Sequence, residues 1–74
     1  MMKFYVTFGQ KYRYETHPKF PNANPDGWLE VEAVGYDHAR NIIVENLGMN
    51  WTFMYDEDQM KKHLYPMGCL GVLK

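Results

Sequence analysis

Cysteine is nearly missing from this 74-residue chain: Cys69 stands alone. A single thiol closes no internal disulfide, and it suits a reducing compartment better than a secreted disulfide scaffold. Long apolar runs are missing as well. No stretch approaches the roughly 20 apolar residues that cross a bilayer, and the opening Met-Met-Lys-Phe-Tyr-Val-Thr-Phe is too short and too alternating for a signal peptide. The expectation is a soluble, cytoplasmic protein with no membrane contact. Gly9, Gly27, Gly35 and Gly48 stand far apart, so they build no glycine-rich phosphate loop. His17, His38, His63 and Cys69 show none of the usual metal-ligand spacings. Asp56, Glu57 and Asp58 lack the alternation of a calcium loop. No metal or other cofactor is expected. A basic surplus is also absent: the net charge is −1, whereas a general nucleic-acid binder carries a positive balance.

Aromatics are what the chain has in quantity. Four Phe, six Tyr and two Trp compensate for a length that allows only one marginal core. The whole chain, 1–74, reads as a single domain, with no repeat or linker. So small a core also leaves room for two copies to pair as a homodimer. Charge is unevenly spread. Up to Phe20, Lys3, Lys11, Arg13 and Lys19 oppose only Glu15, while from Asp26 to Asp58 eight acids oppose only Arg40.

Met2 to Phe8 alternates, with Phe4, Val6 and Phe8 on one face and Lys3, Tyr5 and Thr7 on the other, as a half-buried strand requires. Trp28 to Val34 repeats the pattern: Leu29, Val31 and Ala33 point inward and Trp28, Glu30 and Glu32 outward. Lys3 is placed to pair with Glu30 or Glu32. A helix starts at Gly35 or Asp37 and runs to Leu47, with Ala39, Ile42, Ile43 and Leu47 at helical spacing and Gly48 as its cap. Trp51 to Tyr55 reads as a third strand, with Trp51, Phe53 and Tyr55 sharing a face and Thr52 and Met54 on the outward one. Asp56 to His63 reads as a short second helix, acids first and bases last. Gly68 to Leu73 either forms a short final strand or lies across an edge. The fold class is α+β: a small three- to four-stranded sheet, one main helix on one face, a short second helix and a long loop after the first strand. The second and third strands, flanking the helix, run parallel.

That loop, Gly9 to Gly27, has no helical or strand period. Structureless loops beyond about 12–15 residues are usually functional or disordered. Its Tyr12, Tyr14 and Phe20 among Lys11, Arg13, His17 and Lys19 do not have a disordered composition. Asn24-Pro25-Asp26-Gly27 closes it with turn chemistry, the glycine supplying positive φ. Tyrosine and arginine dominate protein–protein hot spots. The same Lys11-Tyr12-Arg13-Tyr14 run has the composition for stacking bases and touching phosphates in a single strand. A purely structural role is the third reading, with Tyr12, Tyr14 and Phe20 folding back over a sheet edge or face. Tyr5 and Trp28 on an open sheet face offer a second surface, although Glu30 and Glu32 beside them disfavour phosphates. The partner-binding set is therefore Lys11, Tyr12, Arg13, Tyr14, His17, Lys19, Phe20 and Trp28. Catalysis has thin support: Cys69 lies in an apolar run, and a Glu15–His17 or His63–Cys69 pair is the kind that arises by chance.

Tyr5-Val-Thr-Phe-Gly-Gln-Lys-Tyr-Arg, then His17-Pro18 and Pro25-Asp-Gly-Trp28, resemble a family of small proteins encoded by phages and prophages, of the actinobacteriophage type. Ala39-Arg40, Trp51-Thr-Phe-Met-Tyr55 and Leu64-Tyr-Pro-Met-Gly68 extend the resemblance over nearly the whole chain. It brings no settled activity. It implies a non-enzymatic accessory protein that binds a host protein, as a host-takeover or anti-defence inhibitor of the anti-CRISPR kind. The alternative is a single-stranded nucleic-acid-binding module.

Overall fold

The computed structural model describes residues 1–73 and builds one four-stranded mixed sheet with a single main helix. Strands β1 (Met2–Thr7), β2 (Gly27–Ala33), β3 (Phe53–Asp56) and β4 (Gly68–Leu73) lie in the order β3-β1-β2-β4, and α1 (Tyr36–Leu47) connects β2 to β3. β1 pairs antiparallel with both β2 and β3, and β2 pairs parallel with β4. β2 and β3 therefore point the same way, as expected, but β1 lies between them.

The alternation of β1 and β2 decides which side meets the helix. Phe4, Val6, Leu29, Val31 and Ala33 project to one side, where Ala39, Ile43 and Leu47 of α1 close over them. Each fully buried Val, Leu, Ile or Phe contributes roughly 1.5–3 kcal/mol. Phe8, Tyr12, Ala23 and Leu73 complete the same cluster, so the loop between β1 and β2 is part of the core. Lys3 stands opposite Glu32 in the register but makes its ion pair diagonally, with Glu30 at 3.8 Å.

The helix begins at Tyr36 with Gly35 as its N-cap residue and no side-chain cap. Gly48 ends it at φ 66°, a left-handed position that glycine adopts without the Cβ penalty. Gly27 does not have positive φ, contrary to the turn expectation. It is required for proximity instead: a Cβ there would lie 2.6 Å from Leu70 Cγ and 2.9 Å from the Gly68 carbonyl oxygen.

Three expectations are corrected. The third strand starts at Phe53, and its phase is opposite to the reading that put Met54 on the outward face. Met54 pairs with Val6 and packs on the helix-side core, while Tyr55 pairs with Tyr5 on the other side. Asp56 to His63 is not a helix. It is a turn followed by a single 3₁₀ turn, Lys62–Leu64. Lastly, the sheet face away from the helix is not open. Residues 57–67 run from β3 at one edge to β4 at the other, and Met60 buries against Tyr5 and Trp28 on that face, with Tyr55 and Tyr65 packed alongside.

Candidate functional site

The loop from Gly9 to Gly27 is fastened at three places. Gln10–Arg13 forms a 3₁₀ turn, with Tyr14 and Glu15 both donating backbone N–H groups to the Lys11 carbonyl oxygen at 3.1 and 2.9 Å. Arg13 then grips Asp26 with both terminal guanidinium nitrogens, at 3.1 and 3.0 Å, tying the start of the loop to its end. The hydrogen bond to Asp26 and its negative charge raise the Arg13 pKa further. His17 is the third fastening, and it is 1% exposed. Its Nδ1 accepts the backbone N–H groups of Lys19 and Phe20 at 3.0 and 3.1 Å. With Nδ1 accepting, Nε2 carries the hydrogen and donates to the Asn50 carbonyl oxygen at 2.8 Å.

These fastenings settle where the expected contact residues go. Tyr12 and His17 are buried, lying ring to ring at 4.9 Å, with Phe8 edge-on to both. Phe20 is half-buried, stacked parallel to Phe8 at 6.5 Å. Arg13 is at the surface, but its fork is occupied by Asp26. Lys19 is exposed and reaches the C-terminal end of α1: a methyl group on Gly48 would lie 3.9 Å from its Nζ. There the helix dipole favours a cation. Lys11 is exposed, its ammonium 5.0 Å from the Tyr12 ring. Tyr14 alone among the aromatics of the set is free of the core, and it is 87% exposed.

Trp28 is corrected in the same way. It shares the face away from the helix with Tyr5, as expected, but that face is covered: Trp28 is 8% exposed and Tyr5 2%, where the sequence suggested an open surface. The two rings meet edge to face at 6.3 Å, and Tyr65 meets Trp28 in the same manner at 6.3 Å. The Lys62 ammonium closes the cluster, 5.0 Å from the Tyr5 ring and 5.9 Å from Trp28. Bases cannot stack on this pair while the 57–67 segment covers it.

The surface that remains is the outer rim of the loop and the groove beside it. The groove has a volume of about 340 Å³ and runs between Gln10 and Lys11 on one wall and Met49, Asn50, Trp51 and Thr52 on the other. That volume lies at the lower end of ligand-sized clefts, about 300–1,000 Å³. Met49 is largely exposed at its edge, and Trp51 is fixed by Nε1 donating to the Gly48 carbonyl oxygen at 3.0 Å. Met49 and Asn50 were missed by sequence reasoning. They sit in the short link after α1, with no motif to mark them.

Both His17 nitrogens are engaged by backbone groups, which leaves neither free to move a substrate proton. The exposed Cys69 thiol donates to the Gly71 carbonyl oxygen at 3.3 Å. Among the described residues no group of three or more His, Cys, Asp or Glu is placed to hold a metal ion, and no helix is long and apolar enough to cross a membrane. No protein-family model, curated protein or solved structure matches this chain.

Proposed function

We propose that this chain is a non-enzymatic interaction protein that docks a protein partner through the rim of the 9–27 loop, with Tyr14 as its anchor and Lys11 and the Met49–Thr52 link flanking it. The observation that carries this reading is a large aromatic side chain held in solvent by a rigid loop. Tyr14 follows the 3₁₀ turn directly, and the Arg13–Asp26 fork and the His17 clasp brace the loop on either side. A pre-formed loop loses little conformational entropy when it binds, and tyrosine supplies buried area with few rotatable bonds. The apolar Met49 and the adjoining groove add a surface of mixed polarity, as interface cores have.

In its narrower form the partner is a host protein and the role is takeover of the host or inhibition of its defences. That form rests on the resemblance to small phage-encoded proteins. The loop's geometry bears on the contact, not on the partner's identity.

The test is a comparison of wild type with Tyr14→Ala. A tagged chain captures a stoichiometric protein from bacterial lysate treated with nuclease, and the captured protein, once purified, binds the wild type directly. Tyr14→Ala weakens that binding at least tenfold with an unchanged circular dichroism spectrum. Capture that vanishes with nuclease, together with steep loss of binding as salt rises, would transfer the site to single-stranded nucleic acid.

A further inference from the structure

The segment that covers the sheet face away from the helix also builds a cleft. Tyr55 stands opposite Tyr5 in the β1–β3 ladder, on that face, and Met60 buries against Tyr5 and Trp28. The chain is led there by a tight return after β3, in which the Met60 amide donates to the Asp56 carbonyl oxygen at 3.0 Å. Lys62–Leu64 then turns, and the Tyr65 ring lands edge-on against Trp28. The result is a cleft of about 250 Å³ lined by Tyr55, Gln59, Lys61, Leu64 and Tyr65. Both tyrosines are only half-buried and Leu64 is 60% exposed, so apolar surface remains there for contact. Clefts for drug-sized ligands hold about 300–1,000 Å³. This one falls just short of that, which sets its occupant at fragment size.

The polar side chains of the cleft present donors. Lys61 has N–H groups and no acceptor, and it forms no ion pair among the described residues. Its neighbour Lys62 is the one engaged over Tyr5 and Trp28. Gln59 Oε1 already accepts the Asp56 N–H at 3.3 Å, which leaves its Nε2 hydrogens to offer. Burial and the Tyr65 side chain raise the Tyr55 pKa, so that phenol keeps its proton. The carboxylates lie elsewhere: Asp56, Glu57 and Asp58 line a separate cleft with Met1, Met2 and Lys3. Asp56 is further engaged by the Tyr36 hydroxyl and the Gln59 amide.

The geometry points to this cleft as a binding site for a small aromatic carboxylate, its ring against Tyr55, Tyr65 and Leu64 and its carboxylate met by Lys61 and Gln59. Aromatic walls favour a flat ring in offset or edge-on contact. An ionised carboxylate only accepts, so it complements these donors, and a charge-assisted bond to an ammonium is the stronger kind. A cationic ligand would meet Lys61 with like charge, and a neutral one would leave that ammonium unmatched. The site shares no residue with the 9–27 loop or the Met49–Thr52 link, so it stands whether or not Tyr14 docks a protein.

Titration of the whole chain with indoleacetate, followed by backbone-amide NMR shifts, tests the site. The expected result is saturable movement centred on the Tyr55, Gln59, Lys61, Leu64 and Tyr65 amides. The dissociation constant falls in the millimolar range or below, as fragment-sized ligands give. Indoleacetamide, the same ring without the charge, binds about tenfold more weakly, and tryptamine, the cation, more weakly still. Lys61→Met keeps the stem and removes the ammonium. It weakens indoleacetate about tenfold with an unchanged circular dichroism spectrum, and it leaves indoleacetamide unaffected. Arg40→Met, at an exposed position on α1, makes the same change in net charge and leaves the affinity unaltered. Absence of saturable shifts up to about 10 mM would overturn the inference. So would equal binding of acid and amide, shifts centred on another surface, or equal weakening by Lys61→Met and Arg40→Met.

Discussion

His17 and Asn50, 33 positions apart in the chain, are joined by a 2.8 Å hydrogen bond from the imidazole Nε2 to the Asn50 carbonyl oxygen. The opposite side of the same ring holds the Lys19 and Phe20 amides, so one side chain fixes the middle of the loop to the link after α1. Replacing His17 with Ala removes all three bonds and leaves buried backbone groups unpaired. The expected loss is about 2–4 kcal/mol, with each kcal/mol lowering the melting temperature by about 4–8 °C in a domain of this size. Urea unfolding measures it, and limited proteolysis should find new cleavage between Gln10 and Pro21. A variant as stable and as resistant as wild type would refute the clasp.

Tyr12 presents the opposite case. Its hydroxyl is buried and has no hydrogen-bond partner among the described residues. Tyr12→Phe keeps the ring against Phe8 and His17 while deleting the unpaired group, so it should be neutral or stabilising by up to about 2 kcal/mol. A clear loss of stability on denaturant titration would mean the hydroxyl is engaged.

The aromatic cluster on the face away from the helix separates two contributions. Trp28→Ala removes a buried ring that touches Tyr5 and Tyr65 and should cost about 3–5 kcal/mol. Lys62→Met keeps the stem and loses only the cation above the rings, at a cost of about 1 kcal/mol or less. Equal losses in the two variants would contradict this division, and thermal melts suffice to compare them.

The Tyr36 hydroxyl donates to Asp56 Oδ2 at 2.6 Å, joining the first turn of α1 to the end of β3. That bond and the Gln59 amide lower the Asp56 pKa, while the bond to Asp56 raises that of Tyr36. A lowered carboxylate contributes stability that is complete above its unfolded value, about 4, and fades as pH falls through the folded one. A raised phenol contributes stability that is complete below its unfolded value, about 10, and fades as pH rises through the folded one. Tyr36→Phe should therefore narrow the gap to wild type at both extremes while remaining less stable between about pH 5 and 9. A constant gap across that range and beyond would remove the bond from the account.

The main elements were legible because their signals were local. Phe4 and Val6 alternate with Tyr5 and Thr7, and Ala39, Ile43 and Leu47 recur at helical spacing, so β1, β2 and α1 follow from the pattern. The phase of β3 was not legible. Trp51, Phe53 and Tyr55 alternate with Thr52 and Met54, but both faces of this sheet are covered, so an apolar stripe does not reveal which face it meets. The order of acids and bases from Asp56 to Lys62 suggested a helix, yet the segment has no apolar stripe to bury; Met60 alone goes inward. Asp56 and Gln59 instead close a single turn, exchanging side-chain bonds with each other's backbone amides. As for the loop, its composition marked it as consequential without distinguishing contact from core. Tyrosine and histidine serve both, and only the fold shows that Tyr12 and His17 are inside while Tyr14 is outside.

The sheet order also sets a timetable. β1 and β2 occupy the middle, while residues 53–73 supply both edges and the segment that crosses between them. β3 must find β1 across nearly fifty positions, and β4 must find β2 across about forty. Closing such distant pairs is slow, so refolding belongs on the millisecond-to-second scale of non-local topologies rather than the microseconds of helical bundles. During that interval the β1–β2 hairpin has two naked flanks, and Tyr5 and Trp28 lie bare between them. Whatever competes for an unfinished sheet, another nascent copy included, has its opportunity then.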